Sequence, residues 1–478
     1  MAIVLATLLC LASGFLLVSA GWTRVEPRWA DFLLRGSLTL GFGLGVFSVA
    51  FMVYRAFAFA SLLAVDLAFF LPLLSAKLLL GNRAPAVALR SSDPPNTPAW
   101  FSRIVFAGFV AAFGTAVYAA IRQTLAHPHG DGWDAFAIWN LHARFLFLGG
   151  SHWRDGFTPL LPWSHPDYPL LLPAATAHFW SYLGYDAPLV PALVGLAFTL
   201  GTVGILVATL AVLRGGILAA LAATALLATP SFVEQGTWQY ADVPLAFFIL
   251  SSIALLCLRE EMGEKLKSPS RGLLFTAGMS AGLAAWTKNE GILFMAALVL
   301  VRQWRLVRSS RQPAGEKPAF SRQTAPFLAG IVPLCALIFA FKHWVAPPGD
   351  LFSDFHSISQ RVLQPSRYWA VLNWYAKDLL RFGGWLVVPG SILLGGLCYV
   401  TERLGVVPGQ RARRTSASTL ALTLAGYAVI YLITPYDIYW HLRFSSGRLF
   451  LQLWPATILL VFLSIPAEVV SWPQRVSN

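Results

Sequence analysis

Apolar residues recur along this chain in long, almost uninterrupted stretches, and stretches such as 193 to 212 are apolar on every side. A hydrocarbon layer about 30 Å thick is crossed by roughly 20 helical residues, and a helix satisfies its own backbone polar groups there. Such stretches lie near 1 to 20, 31 to 53, 57 to 80, 103 to 121, 187 to 212 and 216 to 230. Others follow near 242 to 258, 271 to 287, 290 to 303, 326 to 346, 384 to 401, 418 to 434 and 450 to 466. The pattern predicts an all-α, polytopic integral membrane protein of about thirteen transmembrane helices. A membrane β-barrel would show short alternating segments instead, so that fold is excluded. The stretch 168 to 184 is also apolar but carries prolines and His178, and it would break the charge pattern if it crossed. We expect it as a re-entrant or interfacial helix.

Composition agrees: 57% of the 478 residues are hydrophobic and 12% are charged, against about 25% charged in soluble domains. The net charge of +13 does not point to nucleic acid, because the basic residues form short clusters between apolar stretches rather than one polar face. The clusters at 259 to 271, 302 to 325 and 402 to 416 all fall on one side of the membrane when the spans are threaded. Basic loops stay cytoplasmic, which places the N-terminus outside and the C-terminus inside. The outer face then receives the long loops 122 to 186 and 347 to 383, the turns 231 to 241 and 287 to 290, and the loop 435 to 449. The first twenty residues end in Val18-Ser19-Ala20, as a cleaved signal can. They lack a basic start and precede Arg24 and Arg28, so we keep them as a span. Cys10, Cys257, Cys335 and Cys398 all sit in apolar stretches and imply no disulfide framework. Without a repeat or a low-complexity region, the chain 1 to 478 reads as one transmembrane domain.

The outer segments hold most of the remaining polar chemistry. In Gly130-Asp131-Gly132-Trp133-Asp134, the acid Asp134 precedes Ile138, Leu141, Phe145 and Leu148 at helical spacing, which predicts a surface-lying amphipathic helix. Asp134 is then either an N-cap or a carboxylate held in a half-dry cleft as a general base. Asp131, between two glycines, is better placed as a turn residue. Lys288 stands in a Thr-Lys-Asn-Glu turn beside Glu290, where a snorkelling cation paired to that glutamate is the plainer reading. The segment 436 to 443 interleaves aromatics with Asp437, His441 and Arg443, and rings of this kind belong at bilayer interfaces in any case. Arg448 opens a span whose N-terminal dipole can receive phosphate. Asp66 lies in the middle of an apolar span, where an ionisable group needs a partner or a pathway.

The order of these motifs resembles the GT-C membrane glycosyltransferases, among them the protein O-mannosyltransferase group, the aminoarabinose transferase of lipid A and the rhizobial lipopolysaccharide core glycosyltransferases. An acid early in the first large outer loop is followed by a helix reading Asp-x-x-x-x-x-x-x-x-Ala-Arg from Asp134 to Arg144. Ser164-His165-Pro166-Asp167-Tyr168-Pro169-Leu170-Leu171 is similar to the family's His-Pro-Pro-Leu-Tyr-Tyr-Leu-Leu pattern. Tyr240-Ala241-Asp242-Val243-Pro244 resembles its second-loop motif, and Gly282-Leu283-Ala284-Ala285-Trp286-Thr287-Lys288 its Gly-Leu-Ala-x-Leu-Thr-Lys segment. The four matches run over about residues 130 to 300. They divide the chain into extra N-terminal spans (1 to 121), a first large periplasmic loop with interfacial helices (122 to 186), a GT-C-like core (187 to 303) and C-terminal spans and loops (304 to 478). The chain departs from the pattern at Ala135, where many members carry glutamate after the aspartate, and over the first three helices.

The resemblance implies an enzyme that moves a sugar from a polyprenyl phosphate to an acceptor hydroxyl at the outer membrane face, inverting the anomeric centre. By the same resemblance Asp134 is the catalytic base, with Asp131 as runner-up. The leaving lipid phosphate calls for positive charge, for which Lys288, Arg443 and Arg448 are the candidates. His165, Asp167, Tyr240, Asp242, Glu290 and His441 are expected to bind substrate. No cofactor is expected to be obligatory. A divalent cation near Asp242, Glu234, His165 and Asp167 stays open, although their spacing fits no tight metal motif. The expected partners are the lipid-linked sugar, a glycan, lipid or protein acceptor, and membrane lipids. The competing reading is a transporter or flippase of lipid-linked glycans, which would gather its ionisable groups near the bilayer midplane.

Overall fold

The computed structural model describes residues 1–80, 97–265, 271–310, 320–349, 351, 355–384 and 410–465. They are built from helices. α1 (Ala2–Ser19), α2 (Arg28–Ala56), α3 (Leu62–Leu80) and α4 (Ala99–Ala126) precede the first large loop. The loop contributes a π-helical turn over Ala135–Trp139, then α5 (Asn140–Leu148) and α6 (Leu171–Leu183). α7 (Leu189–Arg214), α8 (Gly216–Leu227), α9 (Pro230–Thr237), α10 (Asp242–Lys265), α11 (Arg271–Thr287), α12 (Asn289–Ser310) and α13 (Phe320–Trp344) follow. Short α14 (Phe355–Val362) and α15 (Pro365–Arg381) lead to α16 (Gln410–Ile433) and α17 (Ile438–Leu463). Among the described residues, nine of these helices are long and apolar enough to cross a membrane, or ten if the bent pair α8 and α9 counts as one span. The chain is thus an all-helical, polytopic membrane protein.

Most expected spans reappear as helices with longer ends. The span expected at 384 to 401 falls almost wholly outside the described residues. The expected spans 271 to 287 and 290 to 303 are the helices α11 and α12, which fall short of the nine. α11 has 17 residues, and α12 carries Glu290 at one end and Arg302, Arg305 and Arg308 at the other. The span expected near 216 to 230 is broken, with α8 and α9 meeting at 67°. Pro230 opens α9, and proline neither donates a backbone hydrogen bond nor lets the preceding residue stay helical.

One boundary matters for the site. The last span begins at Ile438 rather than near 450, so the expected loop 435 to 449 is mostly helix. The Asp437 carboxylate accepts the Trp440 backbone N–H at 2.8 Å and starts the helix there. Hydropathy hides this start because the new turns carry polar side chains. His441, Arg443 and Arg448 therefore lie on one rigid helix.

α10 is the axis of the fold, with 94% of its apolar window buried, and α7, α11 and α17 pack against it. Val243, Leu245, Phe247 and Phe248 are wholly buried on its first turns. α11 and α13 approach closely enough that a side chain on Gly278 or Gly330 would strike the Phe327 or Phe275 carbonyl of the other helix. Small residues allow this kind of contact between helices in lipid.

The first loop differs from its expected amphipathic face. The buried positions are Ala135, Ala137, Ile138, Trp139, Asn140, His142, Ala143 and Leu146, while Leu148 is exposed. The π-helical turn explains the rotation, because its wider turn advances the face relative to a regular α-helix. α6 occupies the expected re-entrant or interfacial segment, and Leu171 through His178 are buried in it. His178 supplies the partner that Asp66 requires: its Nε2 lies 3.0 Å and 3.1 Å from the two carboxylate oxygens. The Tyr182 hydroxyl donates to the same carboxylate at 2.5 Å. Asp66 and His178 are fully buried, so this contact pins α6 to α3.

Candidate active site

The outer segments converge at the N-terminus of α10. Asp242 is the first residue of that helix, where the helix dipole favours a negative charge, and its side chain is fully buried. One oxygen, Oδ1, accepts from Lys288 Nζ at 3.0 Å and from Gln452 Nε2 at 2.6 Å. The other, Oδ2, accepts from Arg448 Nε at 2.9 Å and lies 2.8 Å from Nη2. Four donor nitrogens surround this carboxylate and occupy both of its oxygens. It orients the cations around it.

Arg448 extends the network to the first loop. Its Nη2 donates to Asp134 Oδ2 at 2.6 Å, and its guanidinium lies over the Tyr240 ring, 4.8 Å from the centroid. Tyr240 is buried against these charges, and burial together with the Asp134 carboxylate pushes its hydroxyl up to about 12. Asp134 caps nothing: its backbone is already helical and its side chain makes no capping hydrogen bond. Its Oδ1 accepts no hydrogen bond among the described residues, and the side chain keeps 18% of its surface exposed. Of the two aspartates on Arg448, only Asp134 has a carboxylate oxygen open to a ligand. Gly130 and Gly132 place it there. Both have positive φ, and a side chain on Gly132 would strike the Tyr240 hydroxyl. Ala135, the position of the missing glutamate, is fully buried close to Gly130.

Lys288 sits in the turn between α11 and α12, which is tight enough that a side chain on Gly291 would meet the Ala284 carbonyl. Its ammonium also reaches Glu290 Oε1 at 2.9 Å. Burial alone would lower its pKa, but the Asp242 and Glu290 carboxylates outweigh burial and leave it raised. The second oxygen of Glu290 is buried and has no hydrogen-bond partner among the described residues. The neighbouring Asn289 ties the same turn to the first loop. Asn289 Nδ2 donates to Asp167 Oδ2 at 2.8 Å, Lys342 Nζ reaches that oxygen at 3.2 Å, and Lys342 also donates to Asn289 Oδ1 at 2.9 Å. Above it, Tyr168 stacks between Trp139 at 5.7 Å and His165 at 4.7 Å. Lys288 lies 5.9 Å from the Tyr168 centroid.

The expected residues therefore divide. Asp134, Tyr240, Asp242, Lys288, Glu290 and Arg448 form one connected cluster, and His165 and Asp167 line its first-loop side. Asp131 instead accepts from Gln123 at 2.8 Å and lies 3.9 Å from His127. His441 bonds Thr434 through Nδ1 at 2.9 Å. Arg443 is exposed, with its guanidinium over the Phe444 ring, and makes no ion pair among the described residues. Sequence reasoning missed Gln452, Asn289 and Lys342. A glutamine inside an apolar span, four residues after Arg448 and thus on the same helix face, is a signal that was available. Among the described residues, no group of three or more His, Cys, Asp or Glu side chains is arranged to hold a metal ion.

The cluster has the parts needed for displacement at a charged leaving group: an accessible carboxylate, two fixed cations and a buried carboxylate that aligns them. A family model for dolichyl-phosphate-mannose-protein mannosyltransferase matches residues 187–345, the segment that contains Asp242, Lys288 and Lys342. No curated protein matches the chain, and no solved structure matches it. The family match falls on the middle of the cluster, in an all-helical membrane fold, and is consistent with a membrane glycosyltransferase of the GT-C type.

Proposed function

We propose that the protein transfers a sugar from a polyprenyl-phosphate donor to an acceptor hydroxyl at the outer face of a bacterial inner membrane, with inversion. The observation that carries this reading is the guanidinium of Arg448, which joins the partly exposed Asp134 to the buried Asp242. Asp134 Oδ1 takes the acceptor proton as the acceptor oxygen attacks the anomeric carbon. The bond from that carbon to the phosphate oxygen breaks, and the lipid phosphate leaves with the electron pair. A single displacement inverts the centre. Charge grows on the leaving phosphate during this step, so cations fixed beforehand stabilise the transition state more than the ground state. Arg448 has this role, with its Nη1 hydrogens outside the carboxylate contacts, and Lys288 supports it from the far side of Asp242. His165 and Tyr240 remain candidates for contact with a sugar ring, and Asp167, Glu290 and His441 for its hydroxyls. Arg443 and Asp131 become secondary candidates. Arg448 and Lys288 already supply the positive charge, so the reaction as proposed needs no obligatory metal.

The test uses the full chain reconstituted in liposomes with a panel of polyprenyl-phosphate hexoses and pentoses and an envelope lipid extract as acceptor. Release of free polyprenyl phosphate is the readout. The parent protein consumes at least one donor, and Asp134→Asn, folded to the same thermal midpoint, loses about 100-fold or more of that rate. Turnover that survives the substitution removes Asp134 from the chemistry.

A further inference from the structure

A second charged site lies at the opposite end of the bundle. Along α10, the seventeen residues from Asp242 to Arg259 span about 25 Å at 1.5 Å per residue. There the ends of α10, α12, α13 and α16 enclose a cavity of about 60 Å³ lined by Arg259, Arg302, Arg305, Arg411, Glu260 and Gln323. Arg302 keeps only 6% of its surface exposed. A basic side chain that merely marks a cytoplasmic loop extends its charge into water, and Arg302 does not.

The hydrogen bonds of these arginines are incomplete in a consistent way. Arg302 donates through Nη2 to the Gln323 carbonyl at 2.7 Å, Arg305 through Nη2 to Ser418 at 2.9 Å, and Arg259 reaches Gln323 Oε1 at 3.5 Å. Arg302 Nη1, Arg305 Nε and Arg259 Nε are buried without a hydrogen-bond partner among the described residues. None of the four arginines forms an ion pair among the described residues. Arg302 is buried, Arg259 and Arg305 are partly buried, and Glu260 is the one acid in the lining, so positive charge is in excess there; desolvating a guanidinium costs several kcal/mol, which a ligand with multiple acceptor oxygens offsets. The outward neighbours fix the level of the cavity. Leu300 and Trp304 are exposed on α12, and the Arg308 guanidinium lies over the Trp304 ring at 5.6 Å. Exposed tryptophan with arginine is the pattern of the headgroup layer.

We infer that this cavity binds a phosphate group, that of an anionic phospholipid headgroup, between Arg259, Arg302, Arg305 and Arg411. The site is independent of the sugar-transfer reading. The experiment follows the thermal unfolding of the full chain in detergent during titration with dioctanoyl phosphatidylglycerol, dioctanoyl phosphatidylcholine or sodium phosphate. Phosphatidylglycerol is expected to raise the midpoint saturably and phosphatidylcholine to leave it unchanged. Arg302→Gln and Arg305→Gln each weaken half-saturation about tenfold, the size of one lost charge-assisted hydrogen bond. Arg122→Gln, on α4, leaves it unaltered. A full shift with sodium phosphate alone, sensitive to the same substitutions, keeps the phosphate site but makes its ligand soluble. Should Arg302→Gln fail to fold, Arg305→Gln and Arg411→Gln decide. The inference is overturned by no saturable shift with either phosphate compound, by equal shifts with both lipids, or by a shift that none of the arginine substitutions changes.

Discussion

Arg448 and Asp242 are 206 positions apart in the chain, yet Nε and Nη2 of the arginine both lie within 2.9 Å of one oxygen of the aspartate. The planar guanidinium holds that oxygen and Asp134 together, which a point charge on a flexible stem does not reproduce. Arg448→Lys is therefore expected to preserve charge but lower turnover about 100-fold, with a smaller change in donor KM. Equal turnover in the lysine variant, measured by polyprenyl phosphate release, would show that geometry at this position is unimportant.

Asp242 has a structural consequence that Asp134 lacks. Asp242→Asn leaves Lys288 and Arg448 short of their shared counter-charge, and breaking one side of a buried ion pair costs about 3 kcal/mol or more. A lowered thermal midpoint in detergent is expected for Asp242→Asn and not for Asp134→Asn. If both variants melt with the parent, the buried network does not support the fold.

His142 makes stability depend on acidity. It is fully buried, with Nε2 3.3 Å from the Ser164 hydroxyl, and burial chiefly lowers its pKa from the ordinary 6.5 to about 3. The unfolded chain takes up the proton first, so the stability tied to neutral His142 is complete above pH 6.5. It declines as pH falls from there towards 3. His142→Gln should flatten the fall in thermal midpoint between pH 6.5 and 4. An unchanged pH profile in that variant counts against a neutral buried imidazole.

Divalent ions offer a simple discrimination. With Arg448 and Lys288 supplying the charge, an excess of EDTA is expected to leave donor consumption within about twofold of its value in magnesium. Loss of turnover that returns with a divalent salt would reassign the electrostatic role to a metal.

Asp66→Asn removes the charge and one acceptor oxygen from a wholly buried contact. The substitution is expected to cost about 3 kcal/mol and to increase proteolysis between α6 and α7, with Asp134 and Arg448 still in place. Normal protease resistance would show that α6 is held by packing alone.

The helical fold was legible because lipid imposes one rule on every residue of a span, and runs such as 193 to 212 obey it without exception. The start of α17 was not, since Arg448 and Gln452 lower local hydropathy while their real environment is the Asp242 carboxylate. Of the site, the residues carried by short motifs were readable: Asp134, Asp242 and Lys288. Their pairing was not, because Arg448 lies 314 positions from Asp134 and no local pattern encodes that contact. The rotated face of the first loop was hidden for another reason, as a π-helical turn leaves no periodic mark in five residues.

The contact between Asp66 and His178 also sets an order of assembly. The two residues are separated by 112 positions, so at about 5–20 residues per second the ribosome adds the second roughly 6–20 s after the first. Throughout that interval α3 carries Asp66 without its hydrogen-bond partners His178 and Tyr182. The arrival of α6 ends that wait, so the N-terminal helices reach their final seating only after the first large loop has been made.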